Sequence, residues 1–157
     1  MSSPSAWSPE IAREIVAGHA GREGALLPVL HGLQGAFGHV PDEAVALVAE
    51  ALNLSRAEVH GVVSFYHDFR RRPAGRRVVK LCQAEACQAR GGRAVTAAAL
   101  ASAGVALGQT TADGEVSVEG VYCLGLCASG PAALVDGRPV ARLDEAGAAA
   151  LVAGEVS

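Results

Sequence analysis

The stretch RRVVKLCQAEACQARGGRAVTAAALASAG, residues 76–104, changes its periodicity twice, and the changes set the fold of the second half of the chain. RRVVKL is short, β-branched and bounded by charge, which is the pattern of a strand, and it ends at Cys82. Gly91 and Gly92 then precede an Ala-rich run that favours helix, with Gly104 placed to end it. Further on, GEVSVEGVYC reads as a second strand that delivers Cys123, with Gly120 a point where it can break. In AALVDGRPVARL the pair Asp136-Gly137 sits between two apolar runs and signals a hairpin. Asp144 is placed to cap a last helix, EAGAAALVAG. Strand, helix, strand, two-stranded hairpin and helix predict an α/β domain over residues 78–155.

Ahead of this domain the period is helical throughout. Ser8 is a cap for SPEIAREIVAG, with Pro9 in the first turn and Glu10 near the positive end. Leu26, Val29, Leu30, Leu33 and Phe37 recur at helical spacing, as do Val45, Val48 and Leu52 after Pro41. SRAE at residues 55–58 has the capping-box pattern and leads into VHGVVSFYHDF. Residues 8–69 therefore read as a helical bundle, with His60 and His67 seven apart on one helix in packing or surface roles. Phe65, Tyr66 and Phe69 are expected to supply packing that joins the two regions, the alternative being a docking surface. Residues 70–77, within FRRRPAGRR, form an Arg-rich hinge whose charges are those of a solvated linker.

Half of the 157 residues are apolar and few are aromatic, so the core is expected to consist of small aliphatic side chains. A net charge of -3 gives no reason to expect nucleic acid or an anionic membrane as a partner. MSSPSAWSPE lacks a basic leader and an apolar core, and no later segment approaches a membrane span; the expectation is a cytoplasmic protein without direct membrane insertion. In a reducing cytosol, four cysteines in two pairs point to a metal or redox role before disulfides.

Four residues separate Cys82 from Cys87, and three separate Cys123 from Cys127. Each pair follows a predicted strand, so two loops at one end of a sheet would gather four sulfurs. A structural zinc would accept four thiolates, but zinc knuckles usually place two residues between each pair. Wider loops suit a 2Fe-2S cluster, in which each pair grips its own iron. All five histidines precede residue 68, which argues against a mixed His and Cys centre, and neither a two-residue dithiol spacing nor a lone nucleophile is present. A cluster with four thiolates is negative, so donors must lie nearby; Gly91, Gly92, Gly125 and Gly130 either admit backbone amides to the sulfurs or simply bend the loops. Leu124, Leu126 and Ala128 would keep water from the sulfurs. Arg90 and Arg93 carry two readings, solvated surface charge or a positive field on the centre. No dinucleotide fingerprint, phosphate loop or nucleophile elbow occurs, so the chain reads as an electron carrier and not a catalyst.

FYHDFRRRPAGRRVVKLCQAEACQARGG and VYCLGLCASGP, with GAFGHVPDEAV and VHGVVSFY before them, resemble the thioredoxin-like 2Fe-2S ferredoxin subunits that accompany NADH-oxidising flavoprotein modules. These are the small cluster subunit of respiratory complex I, its counterpart in NAD-linked hydrogenases and the gamma subunit of NAD-dependent formate dehydrogenases. The resemblance implies a thioredoxin-like domain behind an N-terminal helical bundle, with Cys82, Cys87, Cys123 and Cys127 as the ligands of one 2Fe-2S cluster. It also implies a flavin- and NAD-binding iron-sulfur subunit as neighbour, and Pro131 becomes a candidate for the cis proline of thioredoxin-type folds. HDFRRRPAGR and CQAEACQ look closest to the formate dehydrogenase gamma subunits, which implies a molybdenum- or tungsten-containing formate dehydrogenase catalytic subunit as a further partner. The alternatives are the equivalent subunit of complex I or of a hydrogenase and, from another class, a structural zinc interaction module held by the four cysteines.

Overall fold

Seven helices and five strands are formed by residues 5–155, the part of the chain described by this computed structural model. They fall into two units that divide between Pro73 and Ala74. The first unit holds α1 (Pro9–His19), α2 (Leu26–Phe37), α3 (Asp42–Ala51) and α4 (Arg56–Phe65). Ser8 caps α1 by accepting from the Ile11 amide at 3.3 Å, and Pro9 occupies the first turn, where its missing amide costs nothing. Ala12 and Val16 of α1, the Val29, Leu30, Leu33 and Phe37 stripe of α2, Val48 of α3 and Val59 and Val63 of α4 share one core. The stripe expected on α3 is shifted. Val48 is buried, but Ala44 and Ala49 take the inner places while Val45 and Leu52 stay half-buried, because small residues let the helix lie closer to its neighbours.

Helix α4 stops earlier than its apolar pattern suggests. Tyr66 turns extended, so His67 lies beyond the helix and is not on one helix with His60. The reason is a clamp: the Gln34 side-chain amide donates to the Asp68 carbonyl at 2.7 Å and its oxygen accepts from the Arg70 amide at 2.6 Å. With the Val40 amide donating to the Arg70 carbonyl, residues 68–70 are tied to α2 and its exit loop and cannot continue α4. Phe69 is carried into the core of this unit, whereas Phe65 is 73% and Tyr66 44% exposed. Phe69 thus packs within the helical unit, with the Tyr66 ring 6.1 Å from it and the Phe65 ring 5.2 Å from Tyr66, each edge-on.

The second unit is a five-stranded sheet with β1 (Arg77–Cys82), β2 (Gln109–Thr110), β3 (Val116–Val121), β4 (Ala132–Val135) and β5 (Arg138–Ala141), in the order β2-β3-β1-β4-β5. β1 and β3 run parallel in a register that sets Cys82 beside Val121; the other pairings are antiparallel. Between β1 and β3 the chain forms α5 (Glu85–Gln88) and α6 (Gly92–Ala103), and α7 (Glu145–Ala153) follows β5. α6 and α7 pack together, and their Val95, Ala99, Ala148, Leu151 and Val152 share a core with Val79, Leu81, Val118 and Ala133 of the sheet. Gly120 does not break β3, which runs through it to Val121. The hairpin turn forms at Asp136 and Gly137, both at positive φ, and the Asp136 carboxylate accepts from the Val78 amide at 2.8 Å, fixing the turn to β1. Asp144 caps α7 through the Gly147 amide at 2.7 Å. The two-residue β2 has no hydrophobic pattern of its own; it exists because β3 offers it an edge.

The capping box at α4 is complete, with the Glu58 amide donating to Ser55 Oγ at 3.1 Å and the Ser55 amide to the Glu58 carboxylate at 2.8 Å. The Ser55 amide, then its hydroxyl, holds the Glu58 carboxyl below its ordinary pKa. The carboxylate form is thus favoured by folding, so its contribution is full above the ordinary carboxylate range and fades as pH falls through the lowered folded value. Replacing Ser55 with Ala is expected to cost about 1 kcal/mol, read as a lower urea midpoint for the helical unit, with a smaller penalty in acid.

Candidate metal centre

The parallel pairing of β1 with β3 decides where the cysteines go. Cys82 is the last residue of β1, Val121 opposite it is the last of β3, and the Gln83 amide extends the pairing by donating to the Val121 carbonyl at 2.8 Å. Both loops leave the sheet from the same end, side by side. The first curls at once into α5, which places Cys87 one turn on. The second turns sharply because Cys123 adopts φ 69, a left-handed conformation that costs a non-glycine residue about 1 kcal/mol, and Gly125 adopts φ 74. A short 3-10 turn, Cys127–Ser129, follows. The Gly130–Pro131 peptide bond that leads into β4 is cis.

These turns bring the four thiols together as two pairs. Cys123 Sγ and Cys127 Sγ are 3.8 Å apart. Cys82 and Cys87 lie close enough to shift each other's protonation, and Cys127 feels the charge of both Cys123 and Cys82. Among the described residues, however, no three His, Cys, Asp or Glu side chains are gathered tightly enough to hold a single metal ion. The sulfurs are mutually within electrostatic reach without forming one compact shell.

Their protonation preferences differ for physical reasons. Burial raises the Cys82 pKa, but this is outweighed by the Ala84 amide, the Cys87 thiol and the amides of Cys123 and Leu124, so its thiol sits below the usual value. The left-handed turn at Cys123 is what aims two successive amides at this sulfur, making a small anion-binding nest. Cys87 is pushed up, first by burial, then by the Cys82 thiol and the charges of Cys82 and Cys127, against the pull of the Ala132 amide. Cys127 is pushed up by the Cys123 thiol and its charge. The Cys82 thiolate is thus favoured while Cys87 and Cys127 resist following it, as thiols crowded together do.

The amides that reach the sulfurs are those of Ala84, Cys123, Leu124 and Ala132, which sequence inspection could not single out because backbone donors leave no side-chain signature. Of the four glycines named for these loops, Gly130 acts by leaving room: a Cβ on it would stand 3.0 Å from Cys87 Sγ. Water is excluded from only one pair. Leu124 and Leu126 fold inward against Cys82, Cys87 and Ala132, so the first two cysteines are buried while Cys123, Cys127 and Ala128 are exposed. The shielding expected from Leu124, Leu126 and Ala128 therefore covers the inner pair alone. Beside Cys87, the Gln88 side-chain nitrogen is buried without a partner. Arg93 lies exposed in the first turn of α6, and the exposed Arg90 donates from Nη1 to the Ala128 carbonyl at 3.3 Å. Four thiols, a nest of amides and a cradle that a Cβ would crowd suit a compact anionic group held by thiolates.

A thioredoxin-like half with paired cysteine loops behind a helical half defines a class of iron-sulfur carrier. The model of the thioredoxin-like [2Fe-2S] ferredoxin family matches residues 12–154, and the chain belongs to that family, whose cofactor is one 2Fe-2S cluster. It is 37% identical over 99 residues to a subunit of the NADH-quinone oxidoreductase of Pseudomonas aeruginosa, covering 63% of this chain and 60% of that one. It is 36% identical over 114 residues to the HndA subunit of the NADP-reducing hydrogenase of Solidesulfovibrio fructosivorans, covering 73% and 67%. A crystal structure of an NAD+-reducing [NiFe]-hydrogenase in the air-oxidized state aligns with a TM-score of 0.68 at 32% identity, over 82% of this chain and 22% of that one. With the corresponding NADH-quinone oxidoreductase subunit of Mycobacterium tuberculosis, 33% identical over 141 residues, the matched region is 56% of the relative, so the chain spans somewhat over half the length of these oxidoreductase relatives. Among the described residues, no helix is long and apolar enough to cross a membrane.

The asymmetry in exposure has a direct readout. In metal-free, reduced protein, Cys123 and Cys127 are expected to be alkylated at least about tenfold faster than Cys82 and Cys87, as followed by mass spectrometry of timed samples. Equal rates at all four would show that the inner pair is not sheltered.

Proposed function

We propose that the chain is an electron-transfer subunit in which Cys82, Cys87, Cys123 and Cys127 hold one 2Fe-2S cluster beside a flavin- and NAD-binding iron-sulfur subunit. The observation that carries this reading is the delivery of both cysteine pairs to the same end of the sheet by the adjacent parallel strands β1 and β3. Membership of the family adds the identity of the cofactor. When bound, the cluster supplies a site that accepts and releases one electron.

The chain's own part is to bind, orient and tune. Cys82 and Cys87 form the inner grip, dried by Leu124 and Leu126; Cys123 and Cys127 form the outer grip, open to solvent and to a partner. The amides of Ala84, Cys123, Leu124 and Ala132 stabilise negative charge on sulfur and so favour the extra electron, which burial of the inner pair opposes. A carrier with these parts needs no substrate pocket.

We place the subunit in an NAD-dependent formate dehydrogenase, with a molybdenum- or tungsten-containing catalytic subunit as the source of electrons and the cytoplasm as its site. The support is the likeness of HDFRRRPAGR and CQAEACQ to the gamma subunits of those enzymes. The relatives named above favour, as a second reading, the equivalent subunit of an NADH-quinone oxidoreductase or of a hydrogenase. Chain tagged and isolated with its partners from its native host should carry formate-dependent NAD+ reduction; a preparation with quinone or hydrogen activity instead would move the assignment to the second reading.

Protein purified without oxygen is expected to be red-brown, to contain iron and acid-labile sulfide in equal amounts, and to give a half-integer-spin EPR signal on reduction. Zinc without sulfide would replace this reading with a structural zinc module. Replacing Cys123 with Ser should abolish the cluster or alter its spectrum, and an unaltered spectrum would remove Cys123 from the ligand set.

A further inference from the structure

Resting on the cluster assignment just made, a question remains about what keeps the two loops at the right separation. They meet through sulfur, since Cys82 accepts from the amides of Cys123 and Leu124 and Cys87 from that of Ala132. These bonds end on the atoms that would also hold metal, so they cannot by themselves set a distance independent of it. Arg90 makes a tie of a different kind. Its backbone amide donates to the Cys87 carbonyl at 3.1 Å, which anchors it to the turn that presents Cys87. Its side chain then crosses to the other loop, where Nη1 donates to the Ala128 carbonyl at 3.3 Å, in the 3-10 turn immediately after Cys127. That turn is held from its far side as well, by the Arg142 amide donating to the Ser129 carbonyl at 2.7 Å.

The charge of Arg90 is also uncommitted. Among the described residues, no carboxylate is paired with it, in contrast to Arg71 with Asp42 and Arg76 with Glu115. A guanidinium has five N-H donors in a rigid fork, so one bond to a carbonyl leaves its positive charge in place. This charge stands one residue from Cys127, against a group that becomes more negative on reduction.

We propose that Arg90 is a positioning residue that straps the Cys123–Cys127 loop to the Cys82–Cys87 loop and keeps a positive charge at the rim of the cluster site. The strap slows loss of the cluster, and the charge raises the reduction potential. The two effects separate by substitution. Arg90→Gln removes both, whereas Arg90→Lys keeps the charge and gives up the fork that reaches Ala128. Arg93→Gln removes a neighbouring exposed cation that makes no bond to the second loop.

The test uses the full chain carrying its cluster. One measurement is the rate of bleaching by an iron chelator, and the other is the midpoint potential followed by EPR. Arg90→Gln is expected to bleach about three- to tenfold faster than wild type, the span that one net hydrogen bond allows, and to have a more negative midpoint. Arg90→Lys is expected to bleach faster with a midpoint near that of wild type. The midpoint gap between wild type and Arg90→Gln should narrow as salt is raised, because an exposed charge is screened. Arg93→Gln should bleach at the wild-type rate. If Arg90→Gln takes up no cluster, Arg90→Lys decides: faster bleaching at an unchanged midpoint supports the proposal, and wild-type bleaching overturns it. Arg90→Gln with wild-type bleaching and midpoint, or Arg93→Gln with the same losses as Arg90→Gln, also overturns it. A wild-type chain that holds no cluster would instead overturn the assignment of the preceding subsection and the strap with it.

Discussion

The hydrogen-bonded parallel pairing of β1 with β3 is the constraint on which the candidate centre depends. Two cysteine loops distant in sequence become neighbours only because Cys82 and Val121 stand opposite each other at the ends of adjacent strands that point the same way. The pairing is supported in turn by the apolar face that Val79, Leu81 and Val118 turn towards α6 and α7. On the other side of β1, β4 pairs antiparallel through Val79, Lys80 and Leu81, so β1 is central and has no free edge along which to slip. A slip of one residue would turn Leu81 outward and Lys80, now paired with Glu119 at 3.6 Å, towards the core. Core packing thereby fixes the register, and the register fixes the meeting of the loops.

At the loops themselves, local backbone strain is exchanged for electrostatic complementarity. Cys123 is held in a left-handed conformation that L residues avoid, and the return is a pair of amides directed at Cys82. The opposing environments of the two pairs follow from where the leucines go. Leu124 and Leu126 alternate with exposed neighbours and fold under the turn, drying the inner thiols and leaving the outer ones wet. Low dielectric around Cys82 and Cys87 strengthens each amide bond made there, and solvent at Cys123 and Cys127 leaves a short path to whatever docks outside.

Much of this was legible in the sequence because the signals were local. The Ser55 capping box, the Asp136-Gly137 turn, the Asp144 cap and the glycine that ends α6 each act through bonds within a few residues, and each is formed. The pairing of cysteine loops with strand ends was legible for the same reason. What escaped depended on distant partners. The end of α4 at Phe65 is set by Gln34, more than thirty residues earlier, and no reading of the residues around His67 reveals that clamp. β2 exists through its neighbour alone, and the amides of Ala84 and Ala132 belong to residues whose side chains say nothing of donation. The inner and outer character of the thiols was equally hidden, since Leu, Gly and Ala surround both members of the second pair without indicating which way the turn folds.

All four thiols, and every amide named at them, come from residues after Pro73. Inherited changes in the two halves consequently answer to different demands: in one they are judged by the redox chemistry of a few sulfur atoms, in the other by helix packing and by whatever surfaces Phe65 and Tyr66 encounter. A lineage could refashion its attachments at one end of the chain while the electrical behaviour at the other end stayed as it was.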